Sequence, residues 1–219
     1  MNFKPVLIGS ALCALAQLSN AGLITSAVSA TASSEFSASY DIGNTIDQSG
    51  LSSGYTSGVT DFATYLGTNP THTLTASNFE WFTPANVTTA TVVYDLGSAL
   101  NLLNLALWNE ESSGFGQAII TSSLDNITYS ALSTINPVDN PFADYGAEVF
   151  ALGVTAQYLK FDISGCPQGG SNDIFCAMGE IAFDVGRNGG GTSVPEPASL
   201  ALLGLGLAGI GFSRKRKTA

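Results

Sequence analysis

The chain has 219 residues, of which 45% are hydrophobic and 11% charged, and its formal net charge is −10 at pH 7. Because nucleic-acid binding relies on Lys and Arg at the phosphates, this acidic balance excludes nucleic acid as a partner. The length suits one domain with a sizeable core, once the two terminal segments described below are set aside.

Residues 1–21 form a predicted secretory signal peptide. Lys4 precedes an uncharged apolar stretch at 6–18, and Ser19 and Ala21 are small residues that suit positions −3 and −1 of a cleavage site. A positive start, an apolar centre and small residues at the end are typical of segments that signal peptidase removes. We therefore expect export through the inner membrane with cleavage after Ala21. The alternative is an N-terminal membrane anchor.

The predicted domain spans residues 22–185 and consists of strands and turns. Within 23–85, where Ser, Thr and Gly dominate, only 32–40 and 71–76 are candidate strands, and long loops are expected. Further along, the candidate strands are 88–96, 102–108, 116–122, 128–132, 158–164 and 180–185. In the last two, apolar and polar residues alternate, which is typical of an antiparallel sheet with one wet face. The pattern predicts an all-β sandwich or barrel.

Five segments of this domain, taken in order, resemble the landmarks of the discoidin, or coagulation-factor type C, family. They are NTID at 44–47, VYDLG at 93–97, SLDNITY at 123–129, AQYLKFDI at 156–163 and GEIAF at 179–183. The resemblance implies an antiparallel jelly-roll β-sandwich of the galactose-binding-domain-like type. Lys160 alone stands near the basic positions of the family. This departure argues against a lipid headgroup as the ligand.

The same resemblance implies a structural calcium site between an early loop and the last strand. Asp47 matches the Asp of that loop, and Glu180 matches the Glu of the closing strand. The backbone oxygens of Ile46, Gly50 and Met178 are the expected carbonyl ligands, because calcium takes six to eight hard oxygens. The alternative is that both carboxylates are ordinary surface groups.

Candidate ligand-binding residues are the two tryptophans and the polar residues near them. A sugar presents an apolar face rimmed by hydroxyls, so its site needs an aromatic ring beside a few hydrogen-bonding groups. Trp81, Trp108, Asn109 and His72 meet that description in composition. For Trp108, which ends an apolar strand, packing in the core is the competing interpretation.

No catalytic motif accompanies these residues. His72 is the single histidine of the sequence, and the sequence patterns of nucleophile elbows, phosphate-binding loops and zinc proteases are absent. A carboxylate pair, Glu110 with Glu111 or Asp139 with Asp144, could hydrolyse a glycosidic bond only if the two groups flanked it. We therefore expect a non-catalytic, carbohydrate-binding module. A structural matrix or adhesion protein and a glycan-active hydrolase are the alternatives.

The predicted domain retains two cysteines, Cys166 and Cys176. Cys13 lies in the predicted signal peptide, so an even pair remains in an oxidising compartment. We expect a disulfide between them, which would stabilise the fold by about 2–3 kcal/mol in the chain-entropy model. Two separate thiols are the alternative, whereas a structural zinc site would need four nitrogen or sulfur ligands.

Residues 186–193 read as a Gly-rich linker, and residues 194–219 form a tail of three parts. These parts are a Pro-Glu-Pro motif, an uncharged apolar stretch at 198–212 and a basic cluster. The residues involved are Val194, Pro195, Glu196 and Pro197 in the motif, and Arg214, Lys215, Arg216 and Lys217 in the cluster. As a helix, the apolar stretch would span roughly 22 Å, short of the ~30 Å hydrocarbon core. The basic cluster should stay cytoplasmic.

This order of parts closely resembles the PEP-CTERM sorting signal of Gram-negative bacteria. The resemblance implies transient anchoring through a short C-terminal transmembrane helix, recognition by an exosortase, and delivery of the mature protein to the cell surface or the extracellular matrix. A weak permanent anchor is the alternative. Removal of both terminal segments leaves 16 acidic and two basic residues, a net charge of −14. Such a surface suits neutral ligands, including surface glycans and polysaccharides, or divalent cations.

Overall fold

Eleven β-strands make up most of the regular structure in the described part of the chain. The computed structural model describes residues 22–168 and 174–187. The strands are β1 (Leu23–Thr25), β2 (Ser29–Ala32), β3 (Thr71–His72), β4 (Trp81–Phe82), β5 (Ala90–Trp108), β6 (Gln117–Ser123), β7 (Ser130–Ile135), β8 (Tyr145–Gly146), β9 (Glu148–Ser164), β10 (Ala177–Met178) and β11 (Glu180–Val185). A short α-helix, α1 (Phe62–Leu66), and a 3-10 helix (Ile42–Ile46) precede β3. The predicted all-β antiparallel fold is confirmed.

The two long strands, β5 and β9, pair with each other along most of their length. They form the centre of a sheet with the order β1-β11-β5-β9-β6-β7, and β2 pairs with β5 beside this path. The first half of β5 pairs with β2 and with the second half of β9. Its second half pairs with β11 and with the first half of β9. The long strands therefore contribute to both layers of a β-sandwich.

Both long strands contain a glycine with a positive φ angle where their pairing is interrupted. Gly97 in β5 has φ 78° and Gly153 in β9 has φ 66°. Each lies beside a break in the β5–β9 register. Glycine adopts such angles without strain, and irregularities of this kind bend a strand. The glycines thus allow each long strand to leave one layer and enter the other.

Aromatic side chains fill the space between the layers. Tyr94 in the first half of β5 contacts Phe161 of β9 and Phe183 of β11, with ring centroids 5.5 and 6.0 Å apart. Because β11 pairs with the second half of β5, the contact with Phe183 joins the two layers. The Tyr94 hydroxyl donates to the sulfur of Met178 at 3.2 Å, so this polar atom is satisfied inside the core.

The strand predictions hold in the second half of the chain better than in the first. The segments predicted at 88–96 and 102–108 are parts of one strand, β5, and the segment at 180–185 is β11. The strand predicted at 32–40 is wrong apart from Ala32, and the one at 71–76 is limited to β3. Short Ser- and Thr-rich segments gain too little from pairing to form longer strands, because their side chains bury little apolar area.

The predicted disulfide between Cys166 and Cys176 is confirmed, with a sulfur–sulfur distance of 2.07 Å. It closes the connection between β9 and β10. Cys176 is also fixed beside β4, because its N–H donates to Thr83 Oγ1 at 2.8 Å and its carbonyl accepts from the Thr83 N–H at 2.9 Å. These bonds hold the neighbouring Phe175 against the loops that surround β4.

The predicted terminal segments lie outside the described residues. They are the signal peptide at 1–21, most of the linker at 186–193, the motif from Val194 to Pro197, the apolar stretch at 198–212 and the basic cluster from Arg214 to Lys217. Within 22–168 and 174–187, no helix is long and apolar enough to cross a membrane.

Candidate ligand-binding site

A cleft of about 360 Å³ lies where the loops between the strands meet. Its lining comes from the β2–β3, β3–β4, β5–β6, β7–β8 and β9–β10 connections and from β4. The lining residues are Phe36, Tyr40, Thr75, Phe82, Ser112, Ser113, Phe142 and Phe175. The volume falls at the lower end of the range of roughly 300–1,000 Å³ that is usual for small-molecule sites.

Four of these residues, Phe36, Tyr40, Phe82 and Phe175, form an aromatic wall. Their rings meet edge to face in a closed cycle, with centroid distances between 5.2 and 5.9 Å. Edge-to-face contacts of this kind stabilise one ring against the next and limit rotation. Phe36 nevertheless keeps 52% of its surface exposed, and the separate Phe142 keeps 77%. The cleft therefore offers apolar ring surface to a ligand.

Three carboxylates, Glu80, Glu110 and Glu111, lie close to the polar lining of the cleft and form an acidic triad. One carboxylate oxygen of each lies within 4.8 Å of the others, and all three residues are buried. Glu80 precedes β4, and Glu110 and Glu111 follow the end of β5, so only the fold brings them together. The triad is close enough to hold one metal ion.

Thr75 links the triad to the cleft. Its hydroxyl lies 2.6 Å from Glu110 Oε1 and 3.0 Å from Glu111 Oε1, and its N–H donates to Glu111 Oε1 at 3.2 Å. Ser112 donates to Glu110 from both its N–H and its hydroxyl at 2.9 Å, and the Ser113 N–H also donates to Glu110. Residues that line the cleft thus fix the orientation of the carboxylates behind it.

Burial and the repulsion of neighbouring carboxylates raise the pKa of Glu80 and of Glu110. The pKa of Glu80 rises to about 8, chiefly because burial disfavours the charged form and secondarily because Glu110 and Glu111 carry like charges. The pKa of Glu110 rises to about 7 for the same two reasons, although hydrogen bonds from Thr75, Ser113 and Ser112 oppose the shift. Carboxylates in this setting take up either protons or a cation.

His72 does not reach the cleft surface, contrary to its expected role in ligand binding. Its side chain is fully buried and stacks on Tyr145, whose hydroxyl is 2.9 Å from His72 Nδ1 and donates to Glu80 Oε1 at 3.2 Å. His72 Nε2 lies 3.1 Å from the carbonyl oxygen of Phe79. Burial lowers the pKa of His72. The buried His72 side chain therefore stabilises the loops that carry Phe79 and Tyr145.

Trp81 and Trp108 are also fully buried. The Trp81 indole N–H donates to the carbonyl of Ser34 at 3.1 Å, and that of Trp108 to the carbonyl of Pro70 at 3.0 Å. Neither ring has an exposed face on which a sugar could stack, which corrects the expectation for Trp81 and supports the core interpretation of Trp108. The aromatic surface of the cleft comes from phenylalanines instead.

Asn109 likewise has a structural role. Its side-chain amide donates to the carbonyl of Phe115 at 3.2 Å and to Gln168 Oε1 at 2.7 Å, and its oxygen accepts from the Phe115 N–H at 3.2 Å. The Asn140 side chain donates to its carbonyl at 2.7 Å. The donors and acceptors of this buried side chain are thus engaged by the protein. Asn109 therefore holds the loop that positions the triad.

The residues expected to bind calcium lie around the buried end of Glu180. Glu180 Oε2 accepts from the Gln48 N–H at 3.1 Å, and within the described residues its Oε1 is buried without a hydrogen-bond partner. Burial raises the pKa of Glu180, and the nearby charge of Asp47 raises it further. An orphaned buried carboxylate oxygen beside a second carboxylate fits the chemistry of a hard cation.

The expected carbonyl ligands belong to residues that are close in sequence to these two carboxylates. Ile46 ends the 3-10 helix directly before Asp47, and Met178 is in β10, two residues before Glu180. Gly50 has φ 81°, and its carbonyl accepts from the Thr73 N–H at 2.9 Å. A Cβ atom at Gly50 would lie 2.6 Å from the His72 ring, so glycine is required for the loop to pack this closely.

The cleft residues are the part of the site that the sequence does not reveal. Phe36, Phe142 and Phe175 come from three separate loops, and nothing in their local sequence links them to one another. The one available signal is a single large aromatic residue in an otherwise small and polar loop, as at Phe36 within the sequence SSEFSAS. Such a residue is a candidate for packing or binding, although a single exposed aromatic residue is too common to identify a site by itself.

The comparisons with known proteins concern two different parts of the chain. Residues 193–217 match the PEP-CTERM protein-sorting motif. This motif indicates an exported protein that is sorted to the cell surface, and it implies processing by an exosortase. A search of curated proteins found no match.

Among solved structures, the described domain resembles carbohydrate-binding modules. CBM32-3 from a family 31 glycoside hydrolase of Clostridium perfringens has a TM-score of 0.48 and 18% identity over 74% of this chain and 90% of that chain. The family 32 module of C. perfringens NanJ, in complex with galactose, has a TM-score of 0.47 and 13% identity, over 74% of this chain and 98% of that chain. Chitosan-binding module 1 from a chitosanase/glucanase of Paenibacillus sp. IK-5 has a TM-score of 0.48 and 17% identity, over 74% of this chain and 97% of that chain.

Proposed function

We propose that the chain is a secreted, non-catalytic module that binds carbohydrate in the phenylalanine-lined cleft. The observation that carries this proposal is the combination of exposed rings and hydroxyl groups in one concave site. Phe36 and Phe142 present apolar surface, and Thr75 and Ser112 bring their hydroxyl groups to the same cleft. A pyranose ring needs both kinds of contact, because its faces are apolar and its rim carries hydroxyls.

The charge of the protein narrows the class of carbohydrate. Without its two predicted terminal segments, the chain carries 16 acidic and two basic residues, and the buried acidic triad lies directly behind the polar lining of the cleft. Like charges in a partner would be repelled by such a field. We therefore propose a neutral or cationic glycan as the ligand and expect uronic-acid polymers to bind more weakly.

A structural calcium ion at Asp47 and Glu180 is part of this proposal. The unpartnered Glu180 Oε1 and the carbonyls of Ile46, Gly50 and Met178 would hold the ion. When bound, calcium would neutralise two neighbouring carboxylates and tie the loop after the 3-10 helix to β11. Its role is to fix the loops, because neither carboxylate lines the cleft.

The sorting motif supports a place of action outside the cell. We propose that signal peptidase removes residues 1–21 of a Gram-negative exported precursor and that an exosortase acts at the tail. The mature protein would then meet its glycan at the surface or in the extracellular polysaccharide matrix. A structural matrix or adhesion role without a sugar pocket is the competing function, and the experiment below separates the two.

The test is a glycan-array screen with the full chain and the variant Phe142→Ala. We expect wild type to bind neutral or amino sugars, and Phe142→Ala to lose at least about tenfold in affinity, because a buried aromatic contact contributes about 1.5–3 kcal/mol. The variant should remain stable, because Phe142 is 77% exposed. Ile127→Ala is the matched control, since Ile127 is 84% exposed in the β6–β7 turn and does not line the cleft.

Two results would contradict the proposal of carbohydrate binding in the cleft. A folded wild-type protein that binds no glycan would overturn the proposal in favour of the structural matrix role. Binding that is equally affected by Phe142→Ala and Ile127→Ala would show that the cleft is not the site.

A further inference from the structure

The acidic triad carries more negative charge than the described residues around it compensate. Glu80, Glu110 and Glu111 have at most 6% exposure, and their oxygens lie within 4.8 Å of one another. Lys160 and Arg187 are the Lys and Arg residues of the described segments, and neither forms a salt bridge with the triad. His72 Nδ1 lies 3.6 Å from Glu80 Oε1, but burial lowers the pKa of His72 and so disfavours the imidazolium that would compensate the charge. Buried like charges at such distances repel strongly unless a cation or protons intervene.

The hydrogen bonding at the triad is also incomplete. The Thr75 hydroxyl lies within hydrogen-bond distance of both Glu110 Oε1 and Glu111 Oε1, but it has one proton and can donate to only one of them. The Oε2 atom of Glu111 is buried and has no hydrogen-bond partner among the described residues. A buried carboxylate oxygen without a partner is energetically unfavourable, and it is the kind of atom that a metal ion satisfies.

We propose that Glu80, Glu110 and Glu111 bind one calcium ion, in a site separate from that of Asp47 and Glu180. The ligand set is entirely oxygen, which suits a hard cation and disfavours zinc and copper, which prefer nitrogen and sulfur. Calcium is favoured over magnesium because it tolerates irregular geometry and many protein oxygens, whereas magnesium retains most of its water. Extracellular proteins bind calcium at about 10⁻⁴–10⁻³ M, and this chain is sorted to the surface.

The surrounding hydrogen bonds prepare the carboxylates for such an ion. The N–H groups of Ala76, Thr75 and Ser112 donate to Glu80, Glu111 and Glu110 respectively. These donors orient the carboxylates and leave Glu111 Oε2 free, as expected for groups that support metal ligands. The loops after β3 and β5 would be tied together through the ion.

The ion also has a consequence for the cleft, and this part rests on the proposed glycan-binding function. Three residues that line the cleft also form hydrogen bonds with the triad, namely Thr75, Ser112 and Ser113. Neutralising the triad would stop these two loops from repelling each other and would fix the Thr75 and Ser112 side chains at the cleft. Glycan binding should therefore depend on calcium even though the ion does not touch the sugar.

The test is the number of calcium ions bound by the full chain, measured by equilibrium dialysis against ⁴⁵Ca²⁺. The variants are Glu111→Gln and Glu180→Gln, with Asp139→Asn as a control at an exposed carboxylate. We expect Glu111→Gln to bind one ion fewer than wild type, or to bind it at least about tenfold more weakly. Glu180→Gln should still bind the triad ion, and Asp139→Asn should match wild type.

A thermal measurement provides an independent reading. In chelator, Glu111→Gln should melt at or above the wild-type temperature, because a buried carboxylate without a compensating cation is gone. Added calcium should then raise the melting temperature of wild type more than that of the variant. If Glu111→Gln does not fold, as judged by circular dichroism, Glu80→Gln replaces it.

The proposal is overturned if the triad variant binds as many calcium ions as wild type with the same affinity. It is also overturned if Glu180→Gln abolishes all calcium binding. Neither result depends on a glycan, so failure here is distinguishable from failure of the carbohydrate proposal, which is decided by the Phe142→Ala array. Calcium binding at the triad together with calcium-independent glycan binding would overturn only the coupling between them.

Discussion

At the scale of single residues, burial separates the side chains that support the site from those that meet solvent. Trp81, Trp108 and His72 are fully buried, and each directs a ring nitrogen at a backbone carbonyl. Phe36 and Phe142, by contrast, keep more than half of their surface exposed. An aromatic residue is therefore informative about binding only when its environment is known.

Asp184 illustrates how burial of one acid changes the stability of the whole protein. Its Oδ2 accepts from Asn104 at 2.6 Å, whereas its Oδ1 is buried without a partner among the described residues. Burial raises its pKa, and the charge of Asp61 adds to the shift. A raised pKa in the folded state means that folding favours the protonated form. The stabilisation is complete below the unfolded pKa and is lost as pH rises through the folded one.

We expect Asp184→Asn to remove this pH dependence. Between pH 4 and pH 7 the free energy of unfolding of wild type should fall relative to that of the variant, so that the variant is the more stable at neutral pH. Urea denaturation followed by circular dichroism in chelator, at several pH values, measures the difference. Asp139→Asn, at an exposed position, is the control and should follow wild type. A difference between wild type and Asp184→Asn that does not change with pH would contradict the prediction.

At the scale of elements, the loop after the 3-10 helix depends on a close approach that only glycine permits. Gly50 has φ 81°, and Gly58 further along the chain has φ 72°. A Cβ at Gly50 would lie 2.6 Å from two atoms of the His72 ring, whereas a Cβ at Gly58 would meet nothing within 4 Å. An alanine would be strained by the positive φ angle at either position, whereas the space available for its Cβ differs between them.

Alanine substitution at the two glycines should therefore have unequal effects. Gly58→Ala should lower the free energy of unfolding by about 1–2 kcal/mol, the usual penalty for a left-handed residue with a Cβ. Gly50→Ala should lower it by at least about 1 kcal/mol more, because the His72 ring must move. Both are measured by urea denaturation in chelator, so that calcium binding does not contribute. Equal losses would show that the loop adapts freely around His72.

At the scale of the whole molecule, the tail and the domain have separate tasks. The sorting motif at 193–217 indicates delivery to the surface, and the domain provides the cleft. The four basic residues of the tail are more than half of the Lys and Arg in the chain. Their removal would therefore make the mature protein strongly acidic, which favours solubility and disfavours anionic partners.

Intact-mass analysis of the protein recovered from the surface of its host tests the processing. We expect the loss of residues 1–21 and of the residues after about Pro197, because exosortase recognition requires the Pro-Glu-Pro motif. The double variant Pro195→Ala, Glu196→Ala should keep its tail and serve as the control. A mature wild-type protein that retains Arg214 to Lys217 would refute the sorting interpretation.

The fold class and the disulfide could be predicted because each depends on local or compositional information. Alternation at 158–164 and 180–185 requires only that a strand has one buried face, and Cys166 and Cys176 are the two cysteines outside the predicted signal peptide. Strand predictions fail where the sequence is compatible with either a strand or a loop. Residues 32–40 have a strand-like composition, but without apolar alternation the energetic gain from pairing is small.

The sequence by itself determined three properties of this protein: its sorting to the cell surface, its acidity and its antiparallel β class. Each of these follows from contiguous segments or from composition. The tertiary structure decided which residues form the site. Bends at Gly97 and Gly153 route two long strands through both layers, and this topology brings Glu80 beside Glu110 and Phe36 beside Phe175. The same packing buries Trp81 and Trp108. Contacts between distant loops depend on strand order and curvature, and no local pattern records either.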